Sequence, residues 1–248
     1  MRTIGLLGGM SFESTIPYYR IVNETVRERL GGLHSARVAM VSVDFHDVER
    51  MQTSGDWNAA GALLGNAARA VEAAGADFLV LCTNTMHKVA ADIERAVTIP
   101  LLHIADPTAR AIRAAGLRNV ALLGTRFTMQ QPFYRERLRA QGIVAHVPGA
   151  EGRDWMHRVI YEELCCGNVR EESRARLRAL IDELTAGGAE GVILGCTEIA
   201  MLIEPREANV PLFDTARLHA QSAALLALDD APLPVARQPS PTTIAAHG

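Results

Sequence analysis

Two stretches of this chain, 113 positions apart, follow the same pattern. Gly75-Ala76-Asp77-Phe78-Leu79-Val80-Leu81-Cys82-Thr83-Asn84 aligns with Gly188-Ala189-Glu190-Gly191-Val192-Ile193-Leu194-Gly195-Cys196-Thr197. Each reads glycine, alanine, acid, apolar run, then small polar residues, and each follows an Ala-containing helical stretch. A second echo joins Gly5-Leu6-Leu7-Gly8 to Ala121-Leu122-Leu123-Gly124. Self-similarity at this spacing implies that one structural unit is built twice. A chain of 248 residues is ample for two small lobes sharing a sizeable core.

The hydrophobic pattern says what each unit is. Short aliphatic runs at 3–7, 38–45, 78–81 and 101–104 read as buried strands, and longer amphipathic stretches at 13–30, 57–74 and 87–96 read as the helices between them. The pattern then restarts, with strands at 120–123, 143–147, 192–194 and 210–213. The helices of this half fall at 107–115, 131–141, 153–165 and 171–186, with a short one ending at Leu202 and a closing one at 216–228. Strands that alternate with helices form parallel sheets covered on both faces. The expected fold is α/β: two similar lobes, each a parallel four-stranded sheet flanked by helices, related by a pseudo-twofold axis. The expected division is 1–104 plus 211–228 for the N-terminal lobe and 105–210 for the second. The Pro-, Ala-, Ser- and Thr-rich stretch 229–248 is expected to be a mobile tail.

Composition removes several classes of function. The net charge is -3, and no Lys/Arg block is present, which argues against nucleic acid or an anionic membrane as partner. Eighteen or so consecutive apolar residues, the signature of a membrane span, occur nowhere. With no export signal in view, the expected compartment is the cytoplasm, where the four cysteines stay reduced. Cys165 and Cys166 are adjacent, without the C-x-x-C spacing and without a second ligand pair, so no zinc site is expected. Gly5-Leu6-Leu7-Gly8-Gly9 follows a strand but is neither a dinucleotide turn nor a P-loop.

The duplication locates a site. Ligands of open parallel sheets bind beyond the carboxyl ends of the strands, and two matched halves bring those ends together at a cleft. One half contributes Thr83-Asn84-Thr85 there, and the other Cys196-Thr197-Glu198. The register makes Thr83, not Cys82, the counterpart of Cys196; adjacent strand residues point opposite ways, so Cys82 is expected to face a core. A thiol at such a place is a nucleophile or a proton carrier. Its ordinary pKa is about 8.5, which a helix N-terminus and nearby donors are expected to lower. The alternative is a small buried hydrophobe, the commonest role of a free cysteine. Thr85, Thr125, Thr128 and Thr197 are candidate hydroxyl donors for a carboxylate, whose neighbouring carbon a thiolate would deprotonate. His87 lies close enough to the Thr83 turn to belong to the site, whereas His103 and His219 read as structural. Asp214-Thr215 reads as a helix N-cap.

Three ordered motifs then carry a family resemblance: Gly5-Leu6-Leu7-Gly8-Gly9-Met10-Ser11, Thr83-Asn84-Thr85-Met86-His87 and Gly195-Cys196-Thr197-Glu198. Together they resemble the aspartate/glutamate racemase superfamily over residues 3–228. The resemblance implies an isomerase that acts on a small amino acid without pyridoxal phosphate or metal, often as a homodimer. Two opposed residues remove and return the α-proton, and the family's positions fall on Cys196 and Thr83. A threonine stands where most two-cysteine members carry cysteine, which implies a preference for L-amino acids, whose α-hydrogen faces Cys196. By the same resemblance Asn84, Thr85, Thr125 and Thr197 hold the α-carboxylate, Met10, Ser11 and Gln52 line the pocket, and Glu198 joins them. Aspartate-specific relatives carry a lysine where this chain has Cys165-Cys166, so an acidic side chain would need Arg50 or Lys88. Alternatives are a cofactor-free decarboxylase of a malonate-type acid, because some single-cysteine relatives do that chemistry, and a non-catalytic binding module.

Overall fold

The computed structural model describes residues 1–233. The first sheet consists of β1 (Thr3–Gly8), β2 (Arg37–Ser42), β3 (Phe78–Leu81) and β4 (Leu101–Leu102), in spatial order β2-β1-β3-β4. The second consists of β5 (Asn119–Gly124), β6 (Val144–His146), β7 (Val192–Gly195) and β8 (Leu212–Asp214), in order β6-β5-β7-β8. All pairs are parallel, and the two orders are the same. The duplication extends to register. Gly5 pairs with Leu79 in the first sheet, and their sequence counterparts Ala121 and Val192 pair in the second.

Helices cover both faces of each sheet, as buried parallel strands require. In the first lobe, α2 (Phe45–Ser54), α3 (Trp57–Ala73) and α4 (Ala90–Ala96) pack on one face, where Leu7, Leu79 and Leu81 point. On the other face α1 (Phe12–Leu30) and α10 (Thr215–Leu228) pack on Ile4, Leu6, Phe78, Val80 and Cys82. In the second lobe, α8 (Ala150–Glu162) and α9 (Glu171–Ala186) cover Val192, Leu194 and Cys196. The opposite face meets α5 (Ala105–Ala114) and α7 (Pro132–Arg139), and a short α6 (Arg126–Gln130) follows β5. Strand alternation therefore sends Cys82 into the apolar core between β3, α1 and α10, while Thr83 and Cys196 occupy matching positions beyond the strand ends.

Three expectations need correction. The strand foreseen at 38–45 stops at Ser42, because Asp44 caps a helix: its carboxylate accepts the His46 N–H at 3.0 Å. The return to the first lobe falls after Asp214 instead of at 211, since β8 pairs with β7 and only α10 crosses back to pack on α1. Of the stretch expected to be mobile, Asp229 to Leu233 is held against the first lobe. Arg2 donates to the carbonyls of Leu226 and Ala231, and Leu233 packs on the α1/α10 core. Residues 234–248 lie outside the described residues.

Candidate active site

β3 ends at Leu81 and the chain turns at once, with Thr83 N–H donating to the Leu81 carbonyl at 2.8 Å. A 3₁₀ turn over Thr85–Val89 follows. β7 ends at Gly195, and a 3₁₀ turn over Thr197–Met201 follows Cys196. Gly124 and Gly195 sit side by side in the register, and a Cβ on Gly195 would lie 2.8 Å from the Leu123 carbonyl. Only glycine lets β5 and β7 close this tightly under the cleft.

Thr83 and Cys196 line a single cavity of about 20 Å³ between the lobes, together with Met10, Gln52, Asn84, Thr85, Thr125, Thr197 and Glu198. Ser11 reaches it by donating to Glu198 Oε1 at 2.9 Å. Thr128 stands just behind, fully buried, its hydroxyl 3.3 Å from Thr125 Oγ1 and 3.4 Å from Thr85 Oγ1. Larger hollows, one along α7 and β6 and one beside α1 and residues 31–35, lie on the surface away from these groups.

Glu198 organises the cysteine side. Its Oε2 accepts from Cys196 Sγ at 2.9 Å and from the Thr197 hydroxyl at 2.6 Å. Its Oε1 takes Ser11 and, at 3.6 Å, Cys165 Sγ. The expectation of a lowered Cys196 pKa is corrected here. Burial first, and then the neighbouring Glu198 carboxylate, push the thiol well above its ordinary value. Cys165 is raised by the same two causes.

The opposite wall is a set of hydroxyls and one amide. Thr85 Oγ1 lies 2.9 Å from Thr125 Oγ1, joining the lobes. Thr215 donates its proton to the Leu194 carbonyl at 2.8 Å, so its oxygen accepts from Asn84 Nδ2 at 3.0 Å. That fixes the Asn84 amide and leaves its Oδ1 buried in the cavity wall without a partner. An orphaned buried acceptor calls for a donor. At the remaining end, Tyr161 donates to Gln52 Oε1 at 2.6 Å, Gln52 donates to Met86 Sδ, and Phe45 stacks on Tyr161.

Sequence reasoning missed Phe45, Ile160 and Tyr161 as lining residues, whereas Cys165, set at the side-chain end by the family resemblance, does line the cavity. The cations suggested for an acidic side chain are elsewhere: Lys88 lies over the Trp57 ring, and Arg50 is exposed. Cys82 is raised by burial and takes no part in the site.

The fold is thus two-lobed α/β, with a thiol and a hydroxyl at equivalent strand ends lining one small cavity. The profile of the Asp/Glu/Hydantoin racemase family matches residues 7–223, and the chain belongs to that family. It is 53% identical to a candidate Asp/Glu racemase of Yersinia pestis, with a TM-score of 0.86, over 92% of this chain and all of that one. An aspartate racemase homologue from Pyrococcus horikoshii is 35% identical, with a TM-score of 0.80, over 92% of this chain and 100% of its own. The broad-specificity amino-acid racemase RacX of Bacillus subtilis is 24% identical over 88% of this chain and 95% of RacX. Arylmalonate decarboxylase is a distant neighbour at 16% identity and a TM-score of 0.50, a likeness of fold alone, over 92% of this chain and 94% of that one. The chain is thus an isomerase of the amino-acid racemase kind.

Proposed function

We propose that this racemase interconverts the enantiomers of small amino acids through Cys196 and Thr83, without pyridoxal phosphate or metal. The observation that carries the reading is the matched placement of these two residues beyond equivalent strand ends on one cavity. The ammonium group of the substrate meets the orphan Asn84 Oδ1 and the Glu198 carboxylate. That departs from the expected place of Asn84 on the α-carboxylate, because its amide N–H is engaged by Thr215 and its unpartnered Oδ1 accepts and cannot donate. The α-carboxylate takes the Thr85 and Thr125 hydroxyls, with Thr128 orienting them and Thr197 beside Cys196. Their donors offset the charge that grows on the carboxylate as the α-carbon loses its proton.

Cys196 is an S–H in this arrangement, so its proton must leave first. Glu198 Oε2, at 2.9 Å, is in position to relay that proton to solvent, which leaves the carboxylate ionised. The thiolate then removes the α-proton of the L-enantiomer, and the Thr83 hydroxyl delivers a proton to the other face and is reprotonated from solvent. A cavity of about 20 Å³ holds little more than one water, so admission of substrate requires the lobes to part at links such as Tyr161–Gln52.

Glu198 is the one charged side chain among the lining residues, and Phe45, Gln52, Tyr161 and Cys165 form an uncharged end. Small neutral side chains therefore fit at least as well as those of aspartate and glutamate, since a second substrate carboxylate would be buried without a cation. Four free cysteines suit a reducing cytoplasm. A homodimer is part of the proposal: Phe12, Ile16 and Tyr19 stand exposed along the outer face of α1.

The test is proton NMR of L- and D-amino acids with the protein in deuterium oxide. Loss of the α-proton signal at constant mass, faster for L-enantiomers and present for neutral side chains, is the expected result. No exchange with any amino acid would sink the proposal, and exchange confined to aspartate and glutamate would sink its account of the side-chain end.

A further inference from the structure

We infer that His87 is a positioning residue that holds the Thr83 proton carrier in place and ties it to the second lobe. The inference rests on the assignment of Thr83 to one face of the substrate. His87 Nδ1 lies 2.7 Å from the Thr83 carbonyl oxygen, and the Ile104 N–H donates to His87 Nε2 at 3.1 Å. One neutral tautomer, protonated on Nδ1, satisfies both bonds. Its backbone N–H also donates to the Asn84 carbonyl at 3.1 Å.

The Thr83 backbone is therefore gripped at both ends, by the Leu81 carbonyl on its N–H and by His87 on its carbonyl, and the side chain is left to meet substrate. Ile104 immediately precedes α5, which packs under the second sheet, so the imidazole bridges the Thr83 turn and the first crossing between lobes. The ring is 2% exposed and packs with its centroid 4.3 Å from that of His103 and 6.0 Å from that of His219. A proton carrier displaced by about an ångström loses much of its rate, whereas the opposite carrier, beyond the end of β7, has no part in this bond.

Two variants separate the two bonds. His87→Asn keeps a donor near the Nδ1 position and gives up the acceptor for Ile104. His87→Gln reaches toward Ile104 and withdraws the donor from Thr83. With an L-amino acid in deuterium oxide, α-proton exchange reports Cys196 and conversion to the D-enantiomer reports Thr83. His87→Gln is expected to lower conversion per exchange event by about 10- to 100-fold while exchange stays within about threefold, and His87→Asn is expected to restore most of the ratio. An unchanged ratio in His87→Gln, or equal loss of exchange and conversion in both variants, overturns the inference. Nitrogen-15 NMR of the unaltered protein keeps it testable if a variant fails to fold: a neutral ring protonated on Nε2 overturns it as well. Unaltered protein that exchanges no amino acid overturns the racemase reading and this inference together; one that exchanges normally with an unmoved ratio overturns the inference alone.

Discussion

A thiol and a hydroxyl on opposite sides of one carbon are unequal bases, and that inequality is measurable. Thr83→Ala removes the carrier on one face only. L-amino acids should still exchange their α-proton within about threefold of the unaltered rate, while conversion to the D-enantiomer falls about 100-fold or more, the usual worth of a positioned acid or base. Equal loss of both activities would mean that Thr83 does not act on a separate face. Cys196 makes the second prediction, and its sign follows from its surroundings. Burial and Glu198 raise the thiol, so the free protein holds little thiolate at neutral pH. The kcat/KM for exchange should climb as pH rises from about 6 to 9, approaching tenfold per pH unit, with no plateau near neutrality. A profile flat across that range would remove Cys196 as the base. The thiol's identity and its pairing with Thr83 were legible in the sequence, because the repeat gives register. Its raised pKa was not, because Glu198 folds back onto its own neighbour, and only the three-dimensional turn makes a carboxylate the thiol's first contact.

The elements that carry the site follow the same logic. The alternation of Ile4, Leu6, Phe78 and Val80 against Leu7, Leu79 and Leu81 is a strand pattern legible in the sequence itself, and it correctly sends Cys82 to the core. Helix α2, which supplies Gln52, was illegible because Val41, Val43 and Phe45 continue the apolar run of β2. The signals that mattered were the capping Asp44 and the left-handed Gly55 at its end. Tyr161 went unnoticed for a different reason: its role depends on which face α8 turns across the lobe boundary, which no local pattern encodes. The turn from β1 into α1 depends on Gly9, with φ of 92° and a position where a Cβ would lie 2.1 Å from the Val43 carbonyl oxygen. Gly9→Ala should destabilise the fold by on the order of 3 kcal/mol, read as a lower urea midpoint; an unchanged midpoint would contradict this packing. Under the Thr83 turn, His219 donates from Nε2 to the Leu102 carbonyl at 2.8 Å and accepts from the Tyr18 hydroxyl at 3.0 Å. Burial lowers its pKa to about 4 and holds His87 and His103 well below their ordinary values. An unfolded histidine titrates near 6.5, so between about pH 6.5 and 4 the unfolded chain binds protons that the folded chain refuses. Stability is therefore full above that window and falls as pH drops through it, by roughly 3 kcal/mol for His219 alone. Urea midpoints measured between pH 7 and 4.5 should fall accordingly, and the fall should flatten in His219→Gln; an equal slope in both proteins would refute the assignment.

At the scale of the whole molecule, two lobes must separate to admit substrate and close again around it, and whatever fixes α1 bears on that movement. The helix begins directly after Ser11, whose hydroxyl crosses the cleft to Glu198, so its N-terminus is tied to the site. Its inner face is buried through Tyr18, Val22 and Val26, yet Phe12, Ile16 and Tyr19 stand 60%, 51% and 53% exposed, one turn apart on the outer face. Leu33, beyond the helix end, is fully exposed. Apolar side chains repeated on one stripe are the pattern of a surface that a second copy covers, and a twofold dimer would set two α1 helices against each other. The proposed dimer predicts a mass near twice 26.8 kDa by sedimentation equilibrium at micromolar concentration. The double variant Ile16→Lys, Tyr19→Asp should sediment as a monomer, because two charges on the stripe would have to be buried. If α1 is also braced by its copy, the monomeric variant should exchange L-amino acids more slowly while retaining its unfolding midpoint, since Ser11 would lose its support without loss of either core. A monomeric unaltered protein would remove the dimer, whereas a monomeric variant with full exchange would leave the dimer in place and detach it from the site.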